Sequence, residues 1–194
     1  MTTIILATAS KYKYLQMQQL QLPFICLAAD VDETPLASES AKYTAIRLAK
    51  MKAKAIADKH PDAVVIGCDQ TANIGEHRLD KPLSKTAAID QLTRCSGKTA
   101  TFYSSVCVLH ALNGTEISET SETNATFRDL DSNEIAIYAE KENALNCAGG
   151  FKVESLGISL FESVSSNDPS ALIGMPLIAL CRLLRSVGIN PLST

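Results

Sequence analysis

Along the chain, short apolar runs of strand type alternate with longer stretches of helical period. "TIILA" at 3–7 predicts a buried first strand, and Ser10 is placed to cap a helix carrying Tyr14, Leu15, Met17 and Leu20 at helical spacing. "FICLAA" at 24–29 predicts a second strand, and the acidic "DVDETPLASES" at 30–40 a loop. From Ser40 to His60, Ala45, Ile46, Ala49, Ala53 and Ile56 mark one face of a long helix that Pro61 stops. "AVVIGCDQT" at 63–71 predicts a core strand that leaves the core at Asp69 and Gln70, and 73–84 is polar and turn-rich. A helix follows over 85–95 with Ser84 as its cap, then a strand over 99–110. Asn113-Gly114 signals a hairpin to a partner strand over 115–128. A capped helix is expected over 131–141, a glycine bend into a strand over 147–154, a strand over 157–164, and a helix over 175–188 that starts near Pro176. Crossovers mixed with a hairpin imply an α/β fold, a mixed sheet flanked by helices in one or two lobes.

Composition narrows the class. With 194 residues, 46% of them hydrophobic, the chain can bury about 70% of its unfolded surface. The net charge of −3 supplies no global field for a nucleic acid polymer. Six cysteines lack any C-x-x-C pair and lie mostly in apolar runs, as reduced core residues do. The start of the sequence has no basic leader and no apolar run long enough for a membrane span, so a soluble cytoplasmic protein is expected. His60, His77 and His110 have no metal-type spacing.

Polar chemistry gathers at three strand–loop junctions. Ser10 and Lys13 meet a helix N-terminus, which suits a phosphate as well as a plain cap. Asp32, Glu33 and Thr34 precede the long helix, where acids also oppose the helix dipole. Asp69-Gln70 is followed by Lys81-Pro82. Ligands of open α/β sheets sit beyond the carboxyl ends of strands. There, carboxylates (Glu33, Asp69) hold Mg²⁺ or activate water, and lysines (Lys13, Lys52, Lys81) neutralise polyphosphate charge. That combination serves nucleotide pyrophosphate hydrolysis. No Walker, G-x-G-x-x-G or G-x-S-x-G motif competes with it.

Eight segments then follow in order: "ILATAS", "VDET" (31–34), "RLAKMKA" (47–53), "IGCDQ" (66–70), "DKPLS" (80–84), "SGK" (96–98), "CAGGF" (147–151) and "LIGMPL" (172–177). With them the chain resembles the Maf family of nucleoside-triphosphate pyrophosphatases over essentially its whole length. "CAGGFKVE", the Asp168-Pro169 pair and the tail from Leu172 are most similar to the subgroup acting on 7-methyl-GTP. The resemblance implies one domain over 1–194, with a two-lobed inosine-triphosphatase-like α/β fold, an elongated mixed sheet and a cleft between lobes. It implies hydrolysis between the α and β phosphates, a divalent cation (Mg or Mn) as cofactor, and a homodimer as a possible assembly. Asp69 matches the family's proton acceptor, and Tyr12, Gln70 and Glu154 the positions that set base choice. Ser10, Glu33, Lys52 and Lys81 match its polar positions.

Glu33 with Asp69 forms the expected metal pair, and Ser10, Lys13, Lys52 and Lys81 the phosphate group. Two positions depart from the family pattern: Lys13 stands where S-x-x-R has arginine, and Tyr12 where the 7-methyl-GTP subgroup has tryptophan. Lysine keeps the charge but not the fork geometry. The readings that stay open are a pyrophosphatase preferring dTTP or UTP and a nucleotide-sensing regulator of cell division with little catalysis. The cation is expected to enter with the nucleotide, because Mg²⁺ favours one or two carboxylates plus phosphate oxygens over a full protein cage.

Overall fold

The computed structural model describes residues 2–193 as an α/β fold with a mixed seven-stranded sheet and five α-helices. The chain divides into two compact units, the first from residues 1–70, 104–121 and 168–194, the second from 71–103 and 122–167.

In the first unit, β1 (Ile4–Ala7) lies between β2 (Ile25–Leu27) and β3 (Val64–Ile74), parallel to both. The register sets Ala7 opposite Leu27 on one side and Gly67 on the other, so β1 and β2 end together while β3 continues. The next strands across are β5 (Thr99–His110) and β6 (Thr115–Phe127). Their connection is a tight turn over Ala111–Asn113 closed by left-handed Gly114, where the Asn-Gly signal predicts it. Side-chain alternation sorts the core onto two faces. Ile4, Leu6, Val64, Ile66 and Cys68 pack against Met17 of α1 (Lys11–Gln18) and Leu180 and Leu184 of α5 (Leu177–Ser186). Ile5, Ala7 and Val65 pack against Ala49, Ala53 and Ile56 of α2 (Ala41–Ala57). Ser10 caps α1 as expected, and Ser40 caps α2.

Gly67 explains the small residues on α2. A Cβ there would lie 2.0 Å from the Ala49 carbonyl oxygen and 2.6 Å from the Ala53 nitrogen. Helix and strand therefore touch backbone to backbone, which only Gly on the strand and Ala on the helix permit.

In the second unit, β4 (His77–Arg78) forms a short hairpin with the end of β3, and β7 (Phe161–Ser166) runs antiparallel to β6. The helices α3 (Lys85–Cys95) and α4 (Ser132–Lys141) pack together, the latter with an Asp131/Glu134 capping box. Phe151 is packed edge-on against Phe102, Phe127 and Phe161, with centroids 4.9–5.8 Å apart. Left-handed Gly149 (φ 82°) makes that possible, since a Cβ there would meet the Phe151 ring at 2.6 Å.

Four expectations change. The strand carrying Asp69 does not end there but runs on to Ile74. The polar stretch 73–84 hides the β4 hairpin. Residues 147–154 form a 3-10 turn over Ala148–Gly150 and then turns, not a strand, because two left-handed glycines break the extended path. Residues 156–160 form another 3-10 turn, so the strand expected over 157–164 begins only at Phe161.

Candidate active site

The point where β3 outruns β1 collects the first unit's polar side chains. Beyond Gly67 the strand has lost its parallel neighbour. The Cys68 carbonyl accepts from Lys13 Nζ at 2.9 Å. The strand's alternation then sends Asp69 to the α2 face and Gln70 to the face of α1 and α5.

On the α2 face the close contact at Gly67 sets Lys52, the residue before Ala53, over Asp69. Lys52 Nζ lies 2.6 Å from Asp69 Oδ1 and 2.5 Å from Glu33 Oε1. The Asp69 side chain is 10% exposed and that of Lys52 12%. Burial pulls the ammonium's pKa down, but the charges and hydrogen bonds of Asp69 and Glu33 outweigh it and leave the pKa above its ordinary 10.5. Lys52 is thus a cation at every physiological pH, and two carboxylates converge on it.

The loop bearing Glu33 is tied to α2. Arg47 grips both Glu39 oxygens (2.7 and 2.8 Å) and the Thr34 carbonyl (3.1 Å). That guanidinium bond, helped by Leu36 N–H and the Thr44 hydroxyl, lowers the Glu39 pKa from 4.5 to about 2. A depressed carboxyl contributes stability above its unfolded pKa and loses it as pH falls through the folded one. Glu39→Gln should therefore melt below wild type at pH 7, and the gap should close between pH 4.5 and about 2, as thermal melts across that range would read. A gap that does not change with pH would contradict this linkage.

On the other face, Gln70 Nε2 donates toward Ser104 Oγ (2.9 Å), Ala171 O (2.9 Å) and Leu172 O (3.2 Å). Gln16 Nε2 holds the same loop through Ser170 O (2.8 Å) and Met175 O (3.0 Å). Asp168 Oδ2 accepts from Ile178 N (2.8 Å) and Ala179 N (3.1 Å), and so caps α5 from a distance. The buried Cys68 thiol donates to Gly174 O at 3.2 Å, and burial raises its pKa, which disfavours a thiolate nucleophile.

Of the expected residues, Asp69, Lys52 and Glu33 are brought into direct contact. Lys13 and Gln70 flank the same strand segment on its other face. Ser10 caps α1 by accepting from Lys13 N (3.4 Å), which leaves its proton as the group to offer a ligand, and Tyr12 is half-buried on the first turn. Lys81 and Glu154 belong to the second unit, where both are exposed, and Glu154 sits in a turn rather than at a strand end. Gln16, Ser104 and Asp168 had no signal of their own as site residues. No cluster of three or more His, Cys, Asp or Glu suited to a metal exists among the described residues. The donor set is instead the pair Glu33 and Asp69, already gathered around one positive charge. That is the number of carboxylates a Mg²⁺ shared with phosphate oxygens uses, so the residues fit such an ion.

Among the described residues no helix is long and apolar enough to cross a membrane. The family model described as Maf-like protein matches residues 3–187. The chain is 47% identical over 189 residues to the 7-methyl-GTP pyrophosphatase of Saccharophagus degradans, covering 97% of this chain and 96% of that protein. It is also 47% identical over 186 residues to the 7-methyl-GTP pyrophosphatase of Aromatoleum aromaticum, with 96% of each covered. Among solved structures, a HAM1 protein from Coxiella burnetii superposes with a TM-score of 0.55 at 16% identity, over 97% of this chain and 99% of that one, a likeness of fold.

Proposed function

Because the chain belongs to the Maf family, we propose that the end of β1 holds the active site of a nucleoside-triphosphate pyrophosphatase whose preferred substrate is 7-methyl-GTP. One observation carries the reading: a buried carboxylate, Asp69, held against an obligate cation, Lys52, where β3 has run past the end of β1.

In this reading Asp69 takes the proton of a water that attacks the α-phosphorus. The bond from that phosphorus to the α–β bridging oxygen breaks, giving the monophosphate and pyrophosphate. Asp69 is suited to the task because its carboxylate is fixed in place and little exposed. Lys52 and Lys13 stabilise charge on the phosphates as preorganised cations, and Ser10 donates its hydroxyl at the start of α1. Glu33 and Asp69 would hold a divalent cation, which supplies Lewis-acid polarisation of the phosphate oxygens. Tyr12, on the first turn of α1, offers a ring face to the base. A methylated, cationic guanine gains about 0.5–2 kcal/mol from such a face.

The test is pyrophosphate release from a nucleotide panel with Mg²⁺ or Mn²⁺. The expected order is 7-methyl-GTP over GTP, and both over UTP and dTTP. Chelation should abolish turnover, and the dialysed protein without nucleotide should retain no stoichiometric metal. Tyr12→Ala should narrow the gap between methylated and plain GTP. Equal or better turnover of UTP or dTTP would overturn the substrate, and tight binding without pyrophosphate release would point to a sensor.

A further inference from the structure

We infer that Ser104 is a positioning residue for nucleotide selection: together with the Ala171 and Leu172 carbonyls it holds the Gln70 amide so that Oε1, not the NH₂, is the group turned toward the ligand. Ser104 is 1% exposed, and its Oγ lies 2.7 Å from the Ala171 carbonyl, which can only accept. The hydroxyl has one proton, so that proton goes to Ala171 and the lone pairs of Oγ are left to accept. Gln70 Nε2 meets them at 2.9 Å, and the Ala171 and Leu172 carbonyls at 2.9 and 3.2 Å. Turned over, the amide would set its oxygen against two carbonyl oxygens and an Oγ whose proton is committed. One orientation therefore turns two N–H groups toward three acceptors, and the other offers those acceptors no donor at all.

Oε1 then lies on the side of Gly174. A Cβ built on that glycine would be 4.0 Å from Oε1 and 3.6 Å from Cε of Lys13. Gly174 thus leaves room beside both the amide oxygen and the lysine stem. This inference rests on the reading of that place as the nucleotide site. Given that reading, the group meeting Oε1 must be a donor. The N1–H and 2-amino groups of guanine offer two adjacent donors, whereas adenine offers only its 6-amino group, beside an N1 that is an acceptor. The selection is carried by an amide held jointly by two carbonyls and a serine that touches no substrate.

The experiment compares kcat/KM for GTP and ATP in wild type, Ser104→Ala, Ser104→Cys, Ser104→Thr and Gln70→Ala, each checked for folding by thermal melt. Ser104→Cys keeps the side-chain size with a weak acceptor, so the test stands even if the alanine variant fails to fold. Loss of one hydrogen bond should lower the GTP to ATP ratio about fivefold in the Ala and Cys variants. Ser104→Thr, which keeps the hydroxyl, should restore the ratio. Gln70→Ala should lower it at least as far. If Gln70→Ala lowers the ratio and the Ala and Cys variants do not, the positioning role is overturned while the base-facing reading of Gln70 stands. A uniform loss on both nucleotides in the Ser104 variants, with the ratio intact, overturns it equally as a mere packing effect. If Gln70→Ala leaves the ratio unchanged, the reading of the site fails, and this inference fails with it.

Discussion

Asp69→Asn should cost turnover about 10²–10⁴-fold, the range for losing a positioned general base, while the protein still folds. The change is nearly isosteric and removes the acceptor of the water's proton without opening a cavity. Lys52 keeps one ion partner in the variant, Glu33 at 2.5 Å, so the swap does not strand its charge. KM for the nucleotide should therefore move less than kcat, which marks an interaction used mainly in the transition state. Single-turnover pyrophosphate release with 7-methyl-GTP, beside a thermal melt of the same sample, checks both halves. Wild-type turnover in a folded Asn variant would remove Asp69 from the chemistry.

Gly67→Ala is the second large effect, and it acts through packing. The new methyl would lie 2.0 Å from the Ala49 oxygen and 2.6 Å from the Ala53 nitrogen, both backbone atoms, so no rotamer change relieves it. Helix α2 has to move off β3. Overpacking of this kind costs about 3 kcal/mol, which for a chain of this size lowers Tm by roughly 6–12 °C. Lys52 rides on the displaced helix, one residue before Ala53. A shift of about 1 Å in a catalytic group costs on the order of 10²-fold in rate, so activity should fall well before the protein melts. Melting and activity measured on one preparation test this. A Tm within about 2 °C of wild type would show that the α2–β3 contact is softer than its geometry implies.

Local patterns carried much of the molecule. The caps at Ser10, Ser84 and Asp131 and the strand over 99–110 are where capping chemistry and apolar alternation place them, because each depends on residues within one turn or one strand. The motifs around Glu33, Lys52 and Asp69 likewise marked the residues that meet in space. Patterns failed where the chain's path is decided from outside. An acid and an amide in "IGCDQ" read as the end of a strand, yet they stand inside β3, which runs on after its pairing with β1 has stopped. The "GGFKVE" stretch has a strand's composition, but left-handed Gly149 and Gly150 turn it, and it folds Phe151 into an aromatic cluster.

By itself, then, the sequence determined the α/β class, the helices with most of their caps and the identity of the acid–lysine set, since each is written in spacing and residue type, while its eight ordered motifs carried the resemblance to the family. Only the tertiary structure decided that β3 outruns β1, that Gly67 brings Lys52 onto Asp69, that Gln70 turns its NH₂ to Ser104 and the Ala171–Leu172 carbonyls, and that Asp168 caps a helix starting nine residues later. These depend on register and on contacts between residues from 10 to more than 100 positions apart. A period of 2 or 3.6 says which way a side chain points along its own element, but not which neighbour ends first or which backbone it will meet.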